Sequence, residues 1–175
     1  MSGLGQIILV AGPNGAGKTY FYRKFDEKTR KYTYVNADEI AKGISGTGLS
    51  QAQIDIRAGR AMLGLIRQSI VLGEDIMIET TLASANWARH IPVWRSKGYA
   101  IILYYLRLPS ADAAVARVQR RIATGGHAIP EDVIRRRFVR SLQNLDSIYK
   151  SIVDQWYVFD SLEDREPVLA ESWSG

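Results

Sequence analysis

The sequence predicts an α/β fold in which one parallel sheet of five strands is covered by helices on both faces. Two observations predict it: short apolar runs alternate with longer stretches of helical periodicity, and the apolar runs end in glycine or polar residues. Strands that are separated by helices form βαβ units, whose sheets are parallel and covered on both sides. A length of 175 residues fits one domain, so we expect residues 1–175 to form a single domain.

Five strands are predicted from runs that are rich in aliphatic, β-branched and aromatic residues. They lie at residues 6–10, 32–35, 76–78, 100–106 and 156–159. Ligands of parallel α/β sheets bind beyond the carboxyl ends of the strands. The candidate site residues are therefore those that follow the strands, at 12–19, 36–38 and 79–81, together with Arg107 and Asp160.

Helices are predicted between the strands, at residues 19–28, 50–72, 87–97, 110–123 and 131–153. Ser50 and Gln53 form a capping box that opens the second of these helices, and a glycine ends it. Gly125 and Gly126, followed by His127, separate the last two helices. Such a glycine pair suits a lid that closes on a ligand, and we place this lid at about residues 117–137.

The composition is that of a globular protein, with 46% hydrophobic and 23% charged residues. No apolar run approaches the roughly 20 residues that a membrane-spanning helix needs, and the first residues lack the basic region of a secretory signal. The sequence contains no cysteine, which excludes disulfides and thiolate metal sites. These features predict a cytoplasmic protein without a membrane partner.

Residues 12–19 match the phosphate-binding pattern G-x-x-x-x-G-K-[ST] at every position. Glycines let such a loop turn tightly and aim its N–H groups at phosphate oxygens, and the helix that follows adds its positive N-terminal end. We expect Lys18 to bridge the β- and γ-phosphates and Thr19 to ligate Mg²⁺. The predicted nucleotide is ATP, because no N-K-x-D run favours guanine. The nucleotide-binding residues are Gly12, Pro13, Asn14, Gly15, Ala16, Gly17, Lys18 and Thr19.

The positive charge of the chain is concentrated in one segment. The formal net charge is +5, and residues 107–140 alone hold eight arginines against three acidic residues. Such a cluster can hold phosphates bidentately, bind nucleic acid, or form a solvated helix face. Charge alone leaves these three alternatives open.

Further motifs follow the phosphate loop in order. They are the run Asn36-Ala37-Asp38-Glu39-Ile40, the run Glu79-Thr80-Thr81-Leu82, and a block from Arg117-Val118 through Gly125-Gly126-His127 and Arg135-Arg136-Arg137-Phe138 to Asn144-Leu145. With the phosphate loop they span nearly the whole chain, and together they resemble the zeta toxin family, in its short bacterial branch. The resemblance implies a single-domain P-loop NTPase fold with an arginine-rich lid.

The resemblance also implies an activity and site residues. Zeta toxins are ATP-dependent kinases that phosphorylate UDP-N-acetylglucosamine on a sugar hydroxyl, and many are paired with an antitoxin protein. By this resemblance Asp38 is the catalytic aspartate, and Glu79, Thr80 and Thr81 contact the substrate. Among the lid arginines we assign Arg121 and Arg136 to catalysis beside Lys18, Arg117 to the nucleotide and Arg137 to the substrate.

The chemistry of the residues agrees with these roles. A sugar hydroxyl is a weak nucleophile and needs a carboxylate that positions it and accepts its proton. Asp38 follows a strand beside the phosphate loop; its alternative role is that of N-cap for the next helix. Glu79 ends an apolar strand, where its carboxylate is suited to a magnesium-bound water or a substrate hydroxyl.

Two other functions fit parts of the pattern. One is a different small-molecule kinase of the same fold. The other is an ATPase or nucleic-acid-processing protein whose arginines bind backbone phosphates. The arginines are interleaved with core-forming residues and a glycine lid rather than spread along an aromatic groove, so the sequence favours a small-molecule acceptor over nucleic acid.

Overall fold

The computed structural model describes residues 5–28, 32–44, 48–125, 128–162 and 165–175. Its strands are β1 (Gly5–Ala11), β2 (Thr33–Asn36), β3 (Ile76–Thr80), β4 (Tyr99–Arg107), β5 (Gln155–Asp160) and β6 (Val168–Ser174). They form one sheet in the order β2-β3-β1-β4-β5-β6. The first five strands are parallel, as the sequence predicts.

The prediction of five strands was one too few, because β6 adds an antiparallel edge strand beside β5. All seven residues of β6 are exposed. Its apolar run, Val168 to Ala170, is shorter than the roughly four residues that indicate a buried strand, and the residues that follow do not alternate strictly, so the sequence signal for β6 is weak. The predicted loop residues Gly126 and His127 lie outside the described residues.

The helices are α1 (Lys18–Lys28), α2 (Ala37–Ile44), α3 (Gln51–Leu72), α4 (Ile91–Ser96), α5 (Ala111–Ala123), α6 (Glu131–Asn144) and α7 (Lys150–Ile152). The capping box of Ser50 and Gln53 is present, and Gly73 ends α3 in the left-handed conformation. The predicted helix at 87–97 is instead a 3₁₀ turn, Asn86–Arg89, followed by α4. None of the helices in the described ranges is long and apolar enough to cross a membrane.

The predicted helix at 131–153 is α6, a π-helical turn at Leu145–Tyr149, and α7. In the π turn the backbone amide of Lys150 donates to the carbonyl of Leu145, five residues earlier. The helix is therefore widened by one residue at this point, a feature that is frequent near functional sites.

The core lies on both faces of the sheet, since successive side chains of a buried strand point to opposite sides. On one face the β-strand side chains pack against α3, α4 and the π turn, and on the other against the aromatic rings of α1. The first cluster contains Ile7, Leu9, Ile76, Ile78, Ile101, Leu103, Ile66, Trp94 and Tyr149. The second contains Ile8, Val10, Met77 and Ile102, with Phe21, Tyr22 and Phe25 packed against them.

The register of the sheet brings three strand ends together. Glu79 of β3 lies opposite Val10 of β1 on one side and opposite Asn36 of β2 on the other. The loop after β1, the start of α2 and the last residues of β3 therefore meet at one edge of the sheet.

Candidate functional site

The P-loop, residues 12–19, follows β1, includes the first two residues of α1, and depends on glycine at two positions. Gly12 has a φ of 142°, and a Cβ atom there would lie 2.4 Å from the carbonyl oxygen of Leu106. At Gly15, with a φ of 82°, a Cβ atom would lie 3.0 Å from the Cβ of Arg117. The loop therefore packs closely against β4 and α5, and a side chain at either position would displace it.

Lys18 lies inside this loop, with only 7% of its surface exposed. Its ammonium group donates to the carbonyls of Gly12 and Pro13, at 3.0 and 3.1 Å. Burial lowers the pKa of Lys18, while the nearby carboxylates of Glu79 and Asp38 oppose that shift. The lysine is thus held where an anion that enters the loop would meet it.

The Glu79 carboxylate connects the P-loop to β2. Its Oε2 accepts a hydrogen bond from the Thr19 hydroxyl at 2.9 Å and another from the Tyr34 hydroxyl. Its Oε1 lies 4.0 Å from Nζ of Lys18. Two oxygens of Thr19 and Glu79 thus lie side by side at the P-loop, and hard oxygen ligands of this kind suit Mg²⁺.

Asp38 lies in the first turn of α2 and is not the cap of that helix. The cap is Asn36, whose side-chain oxygen accepts from the backbone amide of Asp38 at 2.8 Å. Its side-chain amide donates to the Tyr34 hydroxyl at 3.2 Å. Asp38 itself is exposed, and within the described residues no side chain donates to its carboxylate. Of the two roles that the sequence leaves open, the structure removes the capping role.

Thr80 and Thr81 begin a loop, residues 80–84, which we call the acceptor loop. Thr80 Oγ1 accepts from the backbone amide of Leu82 and from the indole N–H of Trp87, both at 3.1 Å. Since Thr80 Oγ1 already accepts two bonds, its own proton is available to donate to a ligand.

These residues line one cleft of about 380 Å³, which we call the phosphoryl cleft. Asp38, Glu79 and Lys18 form one side of its lining, and arginines of α5 and α6 complete it. The lining is Asn14, Gly15, Lys18, Asn36, Ala37, Asp38, Met62, Glu79, Thr80, Thr81, Ala83, Ser84, Trp87, Arg121, Arg136, Arg137 and Arg140. The structure therefore brings together most of the residues that the sequence selects.

Arg117 lies outside the phosphoryl cleft. Its guanidinium donates to the hydroxyl of Ser161 at 3.0 Å, to the carbonyl of Ser161 at 2.9 Å and to the carbonyl of Gly15 at 3.4 Å. It lines a neighbouring cleft of about 290 Å³, on the other side of the P-loop, with Tyr20, Arg120 and Ser161. Arg117 thus links α5 to the P-loop and to the residue that directly follows β5.

Other charged residues form ion pairs that join elements of the fold to one another. Arg107 and Asp160, which are the last residues of β4 and β5, pair with each other at 2.7 Å, and Arg107 also binds Glu171 of β6 at 2.6 Å. Arg135 binds Asp112 and Glu131, each at 2.7 Å, which joins α6 to α5.

The model of the zeta toxin family matches residues 5–166 of this sequence. The chain belongs to the zeta toxin family. The resemblance inferred from the motifs is thereby confirmed. An uncharacterised protein of Haemophilus influenzae is 28% identical over 131 residues, which are 75% of this chain and 91% of that protein.

Solved structures show the same fold at low identity. A chain of the PezAT chromosomal toxin–antitoxin system of Streptococcus pneumoniae is 18% identical, with a TM-score of 0.69 over 95% of this chain and 71% of that one. A chain of the AvrRxo1-ORF1:-ORF2 structure with ATP is 18% identical, with a TM-score of 0.72 over 97% of this chain and 58% of that one. A chain of the Pnkp1/Rnl/Hen1 RNA repair complex is 19% identical, with a TM-score of 0.70 over 85% of this chain.

The chain matches only part of the length of some of these neighbours. The chain spans 47% of the RNA repair chain and 58% of the AvrRxo1 chain. Family membership and the geometry of the P-loop support a kinase-like phosphotransferase.

Three residues that contribute to this candidate site received no role from the sequence: Arg140, Asn36 and Tyr34. Arg140 lies four residues after Arg136, a spacing that places both on one side of a helix and could have revealed it. Asn36 stands directly before a helix, where asparagine is a favoured cap. Tyr34 had no such signal, because nothing in a four-residue strand shows which acid its hydroxyl will reach.

We predict that Tyr34→Phe lowers the free energy of unfolding by about 1.5–3 kcal/mol, because it removes a hydrogen bond to a charged group. Tyr157→Phe is the matched control: this partly buried tyrosine bonds to a neutral side chain, Gln155, at 3.2 Å. Its loss should cost about 1 kcal/mol or less. Urea unfolding of the two variants measures both values, and equal losses would show that the Tyr34–Glu79 bond adds no more stability than the neutral Tyr157–Gln155 bond.

Proposed function

We propose that this zeta toxin family member transfers the γ-phosphate of ATP, with Mg²⁺, to a hydroxyl of a small molecule, namely a UDP-activated amino sugar. The observation that carries the proposal is the lining of the phosphoryl cleft. There the carboxylate of Asp38, which does not cap a helix, lines the same cleft as the P-loop lysine and four arginines from two helices. A base, a phosphate cradle and charge-stabilising groups are what phosphoryl transfer to a hydroxyl requires.

On the nucleotide side, the P-loop amides and Lys18 bind the β- and γ-phosphates. The Thr19 hydroxyl and the Glu79 carboxylate are the residues that would hold Mg²⁺, which would supply positive charge to the phosphate oxygens. The neighbouring cleft beside Tyr20 and Arg117 receives the nucleoside. Two structural neighbours support this choice of ligand: the AvrRxo1-ORF1:-ORF2 structure contains ATP, and a deoxyadenosine kinase of similar fold contains dATP.

On the acceptor side, Asp38 orients the attacking hydroxyl and accepts its proton. The hydroxyl oxygen forms a bond to the γ-phosphorus while the bond from that phosphorus to the ADP oxygen breaks. Thr80, Thr81 and Arg137 bind the parts of the acceptor that do not react. Arg121 and Arg136 face the transferring phosphoryl group, whose charge they stabilise.

The charge of the phosphoryl cleft favours an acceptor that is itself anionic. Five cationic side chains line it, against two carboxylates. Part of this excess is matched by the phosphates of ATP, and the remainder suits the diphosphate of a nucleotide sugar better than a neutral antibiotic or nucleoside. This is the observation that supports a UDP-sugar over other small molecules.

The decisive test is transfer of labelled γ-phosphate from ATP, with Mg²⁺, to a panel of UDP-sugars, neutral metabolites and an oligoribonucleotide. The oligoribonucleotide is included because one neighbour belongs to an RNA repair complex. We expect UDP-N-acetylglucosamine to be labelled. Asp38→Asn should lower the rate by about 10²–10⁴-fold, the usual contribution of a general base, without loss of ATP binding.

Glu39→Gln is the matched control for Asp38→Asn. Glu39 is the next residue of α2 and is likewise exposed, but it pairs with Lys42 at 2.7 Å and does not line the phosphoryl cleft. It should leave transfer unchanged. Lys18→Ala should abolish nucleotide binding itself. Hydrolysis of ATP at a rate indifferent to Asp38, with no labelled acceptor, would overturn the proposal.

We further predict that Arg121→Gln and Arg136→Gln each lower kcat by about 10³-fold or more, as loss of an arginine from the transferring phosphoryl group does in other phosphotransferases. Arg135→Gln tests the role of position. Arg135 is adjacent on α6 but is bound to Asp112 and Glu131 outside the cleft. In steady-state kinetics Arg135→Gln should retain the wild-type kcat, unlike the other two variants. Equal losses of kcat in the three variants would show that the arginines act through the overall positive charge of the region and not at the phosphoryl group.

We also propose a neutralising protein partner, because the PezAT chain belongs to a toxin–antitoxin system and the AvrRxo1 structure includes a second protein, ORF2. A need for neutralisation predicts that the active enzyme harms its host. Induced expression of the wild-type chain alone should slow bacterial growth, whereas Asp38→Asn, expressed to the same level, should not. Equal growth of the two strains would remove the reason for an antitoxin.

A further inference from the structure

Three side chains from the end of α6 and the π turn bind three carbonyls of the acceptor loop. Ser141 donates to the carbonyl of Thr81 at 2.6 Å, and Asn144 donates to the carbonyl of Leu82 at 2.6 Å. Tyr149 donates to the carbonyl of Ser84 at 2.9 Å. The loop is thus held along its length by side chains that are about 60 residues away in sequence.

The acceptor loop needs this support because its backbone is strained. Leu82 has a φ of 54° and is the one residue other than glycine with a positive φ in the described ranges. This conformation is unfavourable for a branched side chain and persists only where surrounding contacts enforce it. The Leu82 side chain is 1% exposed, so the core holds it on one side while Asn144 holds its carbonyl on the other.

Two of the three donors are themselves fixed. Ser141 is fully buried, and its hydroxyl also shares a hydrogen bond of 2.8 Å with the hydroxyl of Tyr105 on β4. Tyr149 is fully buried as well. It ends the π turn, whose extra residue advances it around the helix relative to a regular α-helix.

The same helix carries three of the four arginines of the phosphoryl cleft. Arg137, Ser141 and Asn144 are spaced by four and three residues, and Arg136 and Arg140 by four, so arginines and loop donors lie along neighbouring rows of α6. A ligand that binds the arginines therefore acts on the element that holds the acceptor loop.

We propose that Ser141, Asn144 and Tyr149 are positioning residues that couple the phosphate-binding arginines of α6 to the acceptor loop. When the phosphates of the nucleotide bind Arg136, which the proposed function places at the transferring phosphoryl group, α6 is fixed, and the acceptor loop is fixed with it. Thr80 and Thr81 are then held for the acceptor. This inference rests on the proposed function, since it assumes that the cleft binds ATP and that the loop binds the acceptor.

The coupling is tested by amide hydrogen exchange of the acceptor loop, which needs no knowledge of the acceptor. The probe is AMP-PNP with Mg²⁺ added to the full chain, and the readout is the exchange rate of the amides of residues 80–84. In the wild type, nucleotide should slow this exchange. In Asn144→Ala and in Tyr149→Phe, AMP-PNP should bind with unchanged affinity and protect the loop less.

Ser147→Ala is the matched control. Ser147 follows on the same helix and also donates to a carbonyl at 2.6 Å, but that carbonyl belongs to Gln143 of its own helix. It should behave as wild type. Tyr149→Phe retains the buried ring and removes only the hydroxyl, so it remains informative if Asn144→Ala does not fold. Thermal melting of each variant checks this.

Kinetics give a second readout once an acceptor is labelled. Asn144→Ala and Tyr149→Phe should lower kcat/KM for the acceptor by about 10- to 10²-fold, in line with the cost of a small misplacement, while KM for ATP stays unchanged. Equal loop protection in wild type and variants, or no protection in the wild type although AMP-PNP binds, would overturn the coupling. Absence of transfer by the wild type would instead overturn the proposed function.

Discussion

The Glu79 carboxylate holds the candidate site together, because it is bound by residues from two separate parts of the chain. Lys18 and Thr19 belong to the P-loop and the first turn of α1, and Tyr34 belongs to β2. With a side chain only 12% exposed, Glu79 would be costly to bury without these partners. The P-loop, β2 and β3 must therefore all adopt their places before this charge is satisfied, so the fold and the site form together.

The sheet register makes that arrangement possible. Glu79 has Val10 and Asn36 as its neighbours across the sheet, so the ends of β1 and β2 flank it. Asn36 then serves twice: its oxygen caps α2, and its amide binds the Tyr34 hydroxyl. Because the cap is Asn36, the carboxylate that follows it two residues later is left for the cleft.

The sequence predicted the parallel strands and the P-loop well, because each rests on a local signal. Buried parallel strands are apolar runs, and the P-loop has a fixed pattern of glycines that the geometry at Gly12 requires. The capping box of Ser50 is equally local. β6 was missed because its local signal is weak: its apolar run, Val168 to Ala170, is too short to indicate a buried strand, and every residue of the strand is exposed.

The parts of the site that could not be predicted depend on contacts between distant segments. The separation of Arg135 from Arg136 is an example, since both stand in one run of three arginines. Only the packing of α5 beside α6 shows that Asp112 binds Arg135. From the sequence, Arg117 likewise looks like one more phosphate ligand, yet its guanidinium is held by Ser161, 44 residues later in the chain.

Lys18 links the charge of the cleft to its chemistry. Burial lowers the pKa of Lys18, the carboxylates of Glu79 and Asp38 oppose that shift, and Arg121 and Arg137 add to it. The cleft as a whole is lined by more cationic than anionic side chains. The carbonyls of Gly12 and Pro13 compensate only in part, because they are dipoles and not charges. An anion that enters the loop supplies the missing charge to the lysine and the arginines together. The cations would then favour binding most strongly where negative charge is densest, which in the proposed function is where the phosphoryl group passes between nucleotide and acceptor.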